Sequence, residues 1–203
     1  MDSKLNFQIS AGALIFLAAL VILLPLQWVG AVLLAAAVHE LCHAFAIYLL
    51  GGSIECVLIS GRGIVMKTQP MSSIREIVSA MAGPLGSLCL LLFVRWLPRT
   101  AVCGLVHALY NMIPVLPMDG GRVLHGIIFG LLAPPKAEKL QRWICRGTVF
   151  VIILLTILLA SKTGILTITL GICLLQRIHR ENSLAKIPFW QYNSHTIHNE
   201  VRP

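Results

Sequence analysis

The sequence predicts an all-α polytopic membrane protein of about six transmembrane helices, with a small membrane-associated β-hairpin after the second. Three observations predict it. Of 203 residues, 57% are hydrophobic and 12% are charged, about half the ~25% charged fraction of soluble domains. Apolar runs recur along most of the chain, at 9–24, 28–50, 77–97, 101–116, 143–160 and 164–175. The basic residues are also distributed unevenly among the segments that connect them.

A helical span needs ~20 apolar residues, with a range of about 17–25. The first, fourth and sixth runs are short by that measure. No small-residue cleavage site follows the first run, so it reads as a span and not as a signal peptide. The second run carries VHELCHAF at 38–45. After it, IECVLISGRGIVMKT at 54–68 places two β-branched-rich stretches around Gly-Arg-Gly, the pattern of a hairpin. The third run contains AGPLGS at 82–87. The fourth breaks at NMIPVLPMDGG, 111–121. There Pro114 and Pro117 remove two amide donors and turn Ile113 and Leu116 away from helical geometry. Asp119, Gly120 and Gly121 then allow a tight turn before an apolar helix from Arg122 to Leu132. Irregular backbone at membrane depth is tolerated only where protein buries it or water lines it.

The charges orient the chain. With a cytoplasmic N-terminus, the cytoplasmic side holds Lys4, the basic residues at 62–75 and at 136–146, and those of the tail; Arg95, Arg99 and Lys162 lie outside. That bias obeys the positive-inside rule and puts both termini in the cytoplasm. The net charge of +8 therefore reads as an orientation and headgroup signal. No basic stretch interleaved with aromatics argues for nucleic acid. Arg122, near the membrane boundary, is expected to snorkel or pair with headgroups. The six cysteines form no CxxC pair and read as small buried hydrophobes. Residues 1–176 are expected to form the membrane domain and 177–203 a polar cytoplasmic tail, with PFWQY at 188–192 as an interfacial patch. His195 and His198 in that tail read as solvated.

Glu40 and Asp119 stand out as acidic residues in or beside apolar segments. An ionisable group at membrane depth costs at least ~2.5 kcal/mol, so it marks function by default. His39 and His43 are four apart, which on a helix places them ~40° apart on one face and ~6 Å along the axis. Both imidazoles can then hold one metal ion, with Glu40 offset by ~100° toward a water beside it. Zinc fits, because its catalytic sites use imidazole and carboxylate, three protein ligands and one water. With this chain's histidine and glutamate content, HExxH arises by chance at a rate of roughly 0.7%. Asp119 is the candidate third ligand. An Asp before Gly-Gly taken alone is more often a cap or turn residue, and its weight comes from the pairing with HELCH. Cys103, His107 and Asn111 share one helical face. His107 reads as a second partner of the site or as one end of an interhelical hydrogen bond.

HELCH at 39–43, AGPLGS at 82–87 and NMIPVLPMDGGRVL at 111–124 together resemble the site-2 protease family of intramembrane zinc metalloproteases. The resemblance spans roughly residues 28–133 and is closest to minimal bacterial forms, including the sporulation type. It implies that His39, His43 and Asp119 ligate one zinc ion. It also implies that Glu40 is the general base and that Asn111 positions substrate or stabilises an oxyanion. It further implies a multi-pass protein of the bacterial cell membrane acting on a transmembrane protein substrate, and it leaves room for a regulatory partner. Three residues depart from the family pattern: Cys42 in place of Gly, Ser87 in place of Asn, and Met118 in place of Leu. The substitution at 87 puts a polar role there in doubt. The 54–68 hairpin offers an edge on which an unwound substrate can add as a strand; packing against headgroups is the plainer alternative. The rival function is a metal or proton transporter using the same His, Glu and Asp residues. Transporters often show two halves with matching broken segments, and this chain has one broken segment.

Overall fold

The computed structural model describes residues 6–60, 63–69 and 71–163, the last five as backbone. The apolar run at 164–175, the tail from 177, and Gly61 and Arg62 lie outside the described residues. The chain begins with a short strand, β1 (Asn6–Ile9), and a 13-residue helix, α1 (Ala11–Leu23). A 24-residue helix follows, α2 (Leu26–Leu49), then two strands, β2 (Ile54–Ser60) and β3 (Gly63–Thr68). Helix α3 (Ser73–Cys89) runs on through a tighter turn at Leu90–Phe93. Helices α4 (Pro98–Asn111), α5 (Asp119–Leu131) and α6 (Pro134–Thr163) complete the described chain.

The mainly helical architecture is the expected one, with two differences. A strand that ends at Ile9 leads into the first apolar run, and the run's helix is only ~20 Å long, against a hydrocarbon core of about 30 Å. Pro25 stands between α1 and α2, where its ring cannot continue the helix before it. Among the described residues, three helices are long and apolar enough to cross a membrane: Leu26–Leu49, Ser73–Phe93 and Pro134–Leu158. The hairpin, in turn, is part of a three-stranded sheet. β2 pairs antiparallel with β3 and parallel with β1, Phe7 facing Val57 and Ile9 facing Ile59. One edge of the expected hairpin is thus covered by the N-terminus. The parallel pairing also means that α1 leaves the sheet and α2 returns to it. In β2 the buried residues alternate as Cys56, Leu58 and Ser60, the period of a strand with one packed face.

The end of α2 explains how the chain turns into the sheet. Gly51 adopts φ +72, a left-handed conformation natural to glycine. Its amide bonds to Tyr48 O and that of Gly52 to Ile47 O, the paired bonds of a Schellman stop. Along α2, Ala31, Ala35, His39, His43 and Ile47 are all buried, a stripe at four-residue spacing. It packs on α3, whose buried residues are Ser79, Ala80, Gly83, Pro84 and Ser87, and near α4, which buries Thr100, Ala101, Gly104 and Ala108. Small residues at these contacts let helix backbones approach closely, as in membrane bundles. Cys42 fits there as well, because its Sγ occupies the space left open by Gly86. Leucines and phenylalanines such as Leu41, Phe45, Leu92 and Phe93 face outward, the surface a bilayer would cover.

Candidate metal centre

Three ligand-type residues from two distant segments meet inside this bundle. His39 and His43 come from the buried stripe of α2, and Asp119 opens α5. His39 Nε2 lies 3.0 Å and His43 Nε2 3.1 Å from Asp119 Oδ2, and the two nitrogens are 3.1 Å apart. All three residues are buried. A carboxylate in the first turn of a helix is favoured by the helix dipole.

Each imidazole is held from behind by α3. His43 Nδ1 lies 2.7 Å from the Ser79 carbonyl. A carbonyl can only accept, so Nδ1 carries the proton and Nε2 of the neutral ring is a bare lone pair. His39 Nδ1 lies 2.9 Å from Ser87 Oγ. Two ring nitrogens and a carboxylate oxygen therefore converge on one point, which suits a cation. Tetrahedral zinc, with bonds of about 2.0–2.2 Å, sets its ligand atoms ~3.3 Å apart. The observed triangle matches that size, and the donor set is the one zinc prefers.

Glycines make the approach possible. A Cβ on Gly83 would stand 2.2 Å from His43 Nε2, so a side chain there would enter the cluster. At Gly120 a Cβ would meet Met112 O at 2.2 Å, and at Gly121 it would meet Val115 C at 2.3 Å. The first turn of α5 therefore rests directly on the 112–116 backbone, and Asp119 is placed by that contact. The predicted break before Asp-Gly-Gly is present: α4 ends at Asn111 and α5 begins at Asp119.

The other expected site residues take definite positions. Glu40 follows His39 on α2 and is half-buried. The His107 ring lies edge-on to His39, 4.4 Å between centroids. Asn111 Nδ2 donates to the His107 carbonyl at 3.0 Å; the amide carries two hydrogens and this bond uses one. Two expectations need correction. Ser87 does carry a polar contact, because a hydroxyl at that position reaches Nδ1. Arg122 pairs with carboxylates of the bundle: its Nη1 lies 3.6 Å from Asp119 Oδ1 and its Nε 3.9 Å from Glu76 Oε1. The i,i+3 spacing of Asp119 and Arg122 was the available signal for that pair. Glu76 directly precedes the third apolar run, where an acid reads as part of a polar connection. Ser79 contributes only backbone, which leaves no mark in a sequence.

The family model for peptidase family M50 matches residues 60–155, a stretch that contains Ser79, Ser87 and Asp119 and begins after HELCH. A solved structure, the site-2 protease from Methanocaldococcus jannaschii, superposes with a TM-score of 0.60 at 22% identity. That match covers 82% of this chain and 87% of the archaeal one. A comparison with curated protein sequences gives no match. The chain resembles peptidase family M50 over residues 60–155 and shares its fold with a site-2 protease. Among the described residues, His39, His43 and Asp119 form the group that could hold a metal ion.

The contact from Ser87 has a measurable consequence for metal binding at this cluster. Groups that orient ligating histidines typically contribute 10–100-fold in metal affinity. Ser87→Ala should weaken zinc binding by about that factor in a competition titration, while Ser87→Thr retains most of it. Unchanged affinity in the alanine variant would remove Ser87 from the site.

Proposed function

We propose that this chain is an intramembrane zinc metalloprotease that hydrolyses peptide bonds of membrane-embedded protein substrates. The observation that carries the reading is the convergence of His39 Nε2, His43 Nε2 and Asp119 Oδ2 to 3.0–3.1 Å within a bundle whose outer face is apolar. These three residues hold one zinc ion; bound there, zinc acts as a Lewis acid that makes a water more acidic and polarises a carbonyl. Glu40 takes the proton of the attacking water and returns it to the leaving amine. The second amide hydrogen of Asn111 is the donor for the carbonyl oxygen as negative charge develops on it. The protein sits in a bacterial cell membrane with both termini cytoplasmic, a reading supported by the distribution of basic residues.

A helical substrate must unwind before its carbonyls can be attacked. With β1 on one side of β2, the outer edge of β3 is the edge of the hairpin left for an incoming strand among the described residues. An extended substrate segment pairs there by backbone hydrogen bonds, one edge strand adding to another.

Two experiments test this reading. Glu40→Gln keeps the shape of the side chain but cannot accept a proton. It should retain zinc through His39, His43 and Asp119 while cleavage of a single-span substrate falls ~10²–10⁴-fold. Wild-type cleavage by the zinc-loaded variant would dismiss the general-base role, and a wild type that moves ions and cleaves nothing would favour transport. Prolines scanned through residues 64–67 should lower cleavage, at positions whose amide faces away from β2, with zinc content unchanged. If every such variant cleaves normally, β3 does not present the substrate.

A further inference from the structure

The contacts behind the metal centre extend beyond the two histidines. Asp119 divides its carboxylate: Oδ2 faces both imidazoles at 3.0 and 3.1 Å, and Oδ1 faces Arg122 Nη1 at 3.6 Å. Arg122 is in turn faced by Glu76 of α3, 3.9 Å from its Nε. All three side chains are largely withdrawn from solvent, with Glu76 at 12%, Asp119 at 9% and Arg122 at 26% exposure. Charges so placed are screened far less than a surface pair.

The residues of α3 that take part share one face. Ser79 and Ser87 hold the Nδ1 atoms of His43 and His39, and Gly83 between them leaves room for His43. Glu76 lies one turn before Ser79. Positions 76, 79, 83 and 87 are spaced three, four and four, the repeat of one helical stripe.

We propose that Arg122, held by Glu76, is the positioning residue for the third ligand, so that one stripe of α3 orients all three ligands of the metal. The guanidinium engages Oδ1 and keeps Oδ2 turned toward the imidazoles. It also offsets part of the negative charge that Asp119 and Glu76 bring beside the site. Without it the carboxylate can rotate or present both oxygens to the metal, and the three-atom triangle opens. Lysine at this position keeps the charge but not the planar fork that can meet two carboxylates from fixed directions.

This inference rests on the metal reading above, and the test separates the two. Wild type, Arg122→Gln, Arg122→Lys, Glu76→Gln and the double variant R122Q/E76Q are purified in detergent and stripped with a chelator. Each is then titrated with zinc against a competing chromophoric chelator, and thermal unfolding of the stripped proteins is followed in parallel. Arg122→Gln should bind zinc about 10–100-fold more weakly, Glu76→Gln should move in the same direction by less, and Arg122→Lys should fall between wild type and Gln. The double variant should be no worse than Arg122→Gln alone, because Glu76 acts through the arginine. Stripped variants should unfold close to stripped wild type. A plain α3–α5 staple predicts the opposite pattern, with lowered unfolding temperature and unchanged zinc affinity, and that result overturns the proposal. If Arg122→Gln does not fold, wild-type zinc affinity in both Arg122→Lys and Glu76→Gln overturns it equally. A wild type that binds no zinc sinks the metal reading itself.

Discussion

The close approach of α3 to the histidine face of α2 is the constraint on which the rest of the structure depends. It is close enough that a single methyl group on Gly83 would stand 2.2 Å from His43 Nε2. At that distance the Ser79 carbonyl and the Ser87 hydroxyl reach the far nitrogen of each ring. The rings are thereby fixed in orientation, and their Nε2 atoms face each other and Asp119. In a medium that solvates charge poorly, a polar group without a partner is expensive. The two serines and the carboxylate therefore make the buried histidines tolerable inside the bundle, as well as aiming them.

The third ligand arrives by a different device. Asp119 lies 80 residues along the chain from His39, and it is placed by a turn that stacks on α5. Gly120 and Gly121 lie against the backbone of 112–116 without a side chain between them, so the helix starts where the turn ends. Two prolines stop α4 from continuing, and the freed chain folds back beneath α5. The site thus combines a rigid pair on one helix with a carboxylate whose position is set by backbone contact. Arg122 and Glu76 link that carboxylate back to α3.

Much of this was legible in the sequence, for particular reasons. His39 and His43 announce a shared face because four residues is close to one helical turn. Asp119 is marked by an acid in an apolar neighbourhood, next to a break that only buried or hydrated backbone permits. β2 and β3 were readable from their β-branched runs. What escaped was whatever depends on which elements touch. β1 begins three residues before the first apolar run, and only its pairing with β2 makes it a strand. Ser79 acts through its carbonyl, Ser87 through a hydroxyl common to any helix, and Arg122 through neighbours that a linear reading assigns to the membrane surface. The stripe at 76, 79, 83 and 87 has a helical spacing, but a stripe of Glu, Ser, Gly and Ser does not say what it faces until α2 and α5 are packed against it.

The central claim is that His39, His43 and Asp119 together bind one zinc ion. X-ray absorption at the zinc edge of the purified protein tests it most directly. The account predicts about one zinc per chain, with two imidazoles and oxygen neighbours at ~2.0–2.2 Å and no sulfur. It also predicts that the zinc is lost, or loses an oxygen neighbour, in Asp119→Ala. Sulfur in the shell, which would bring in Cys42, or a spectrum unchanged by Asp119→Ala would contradict it.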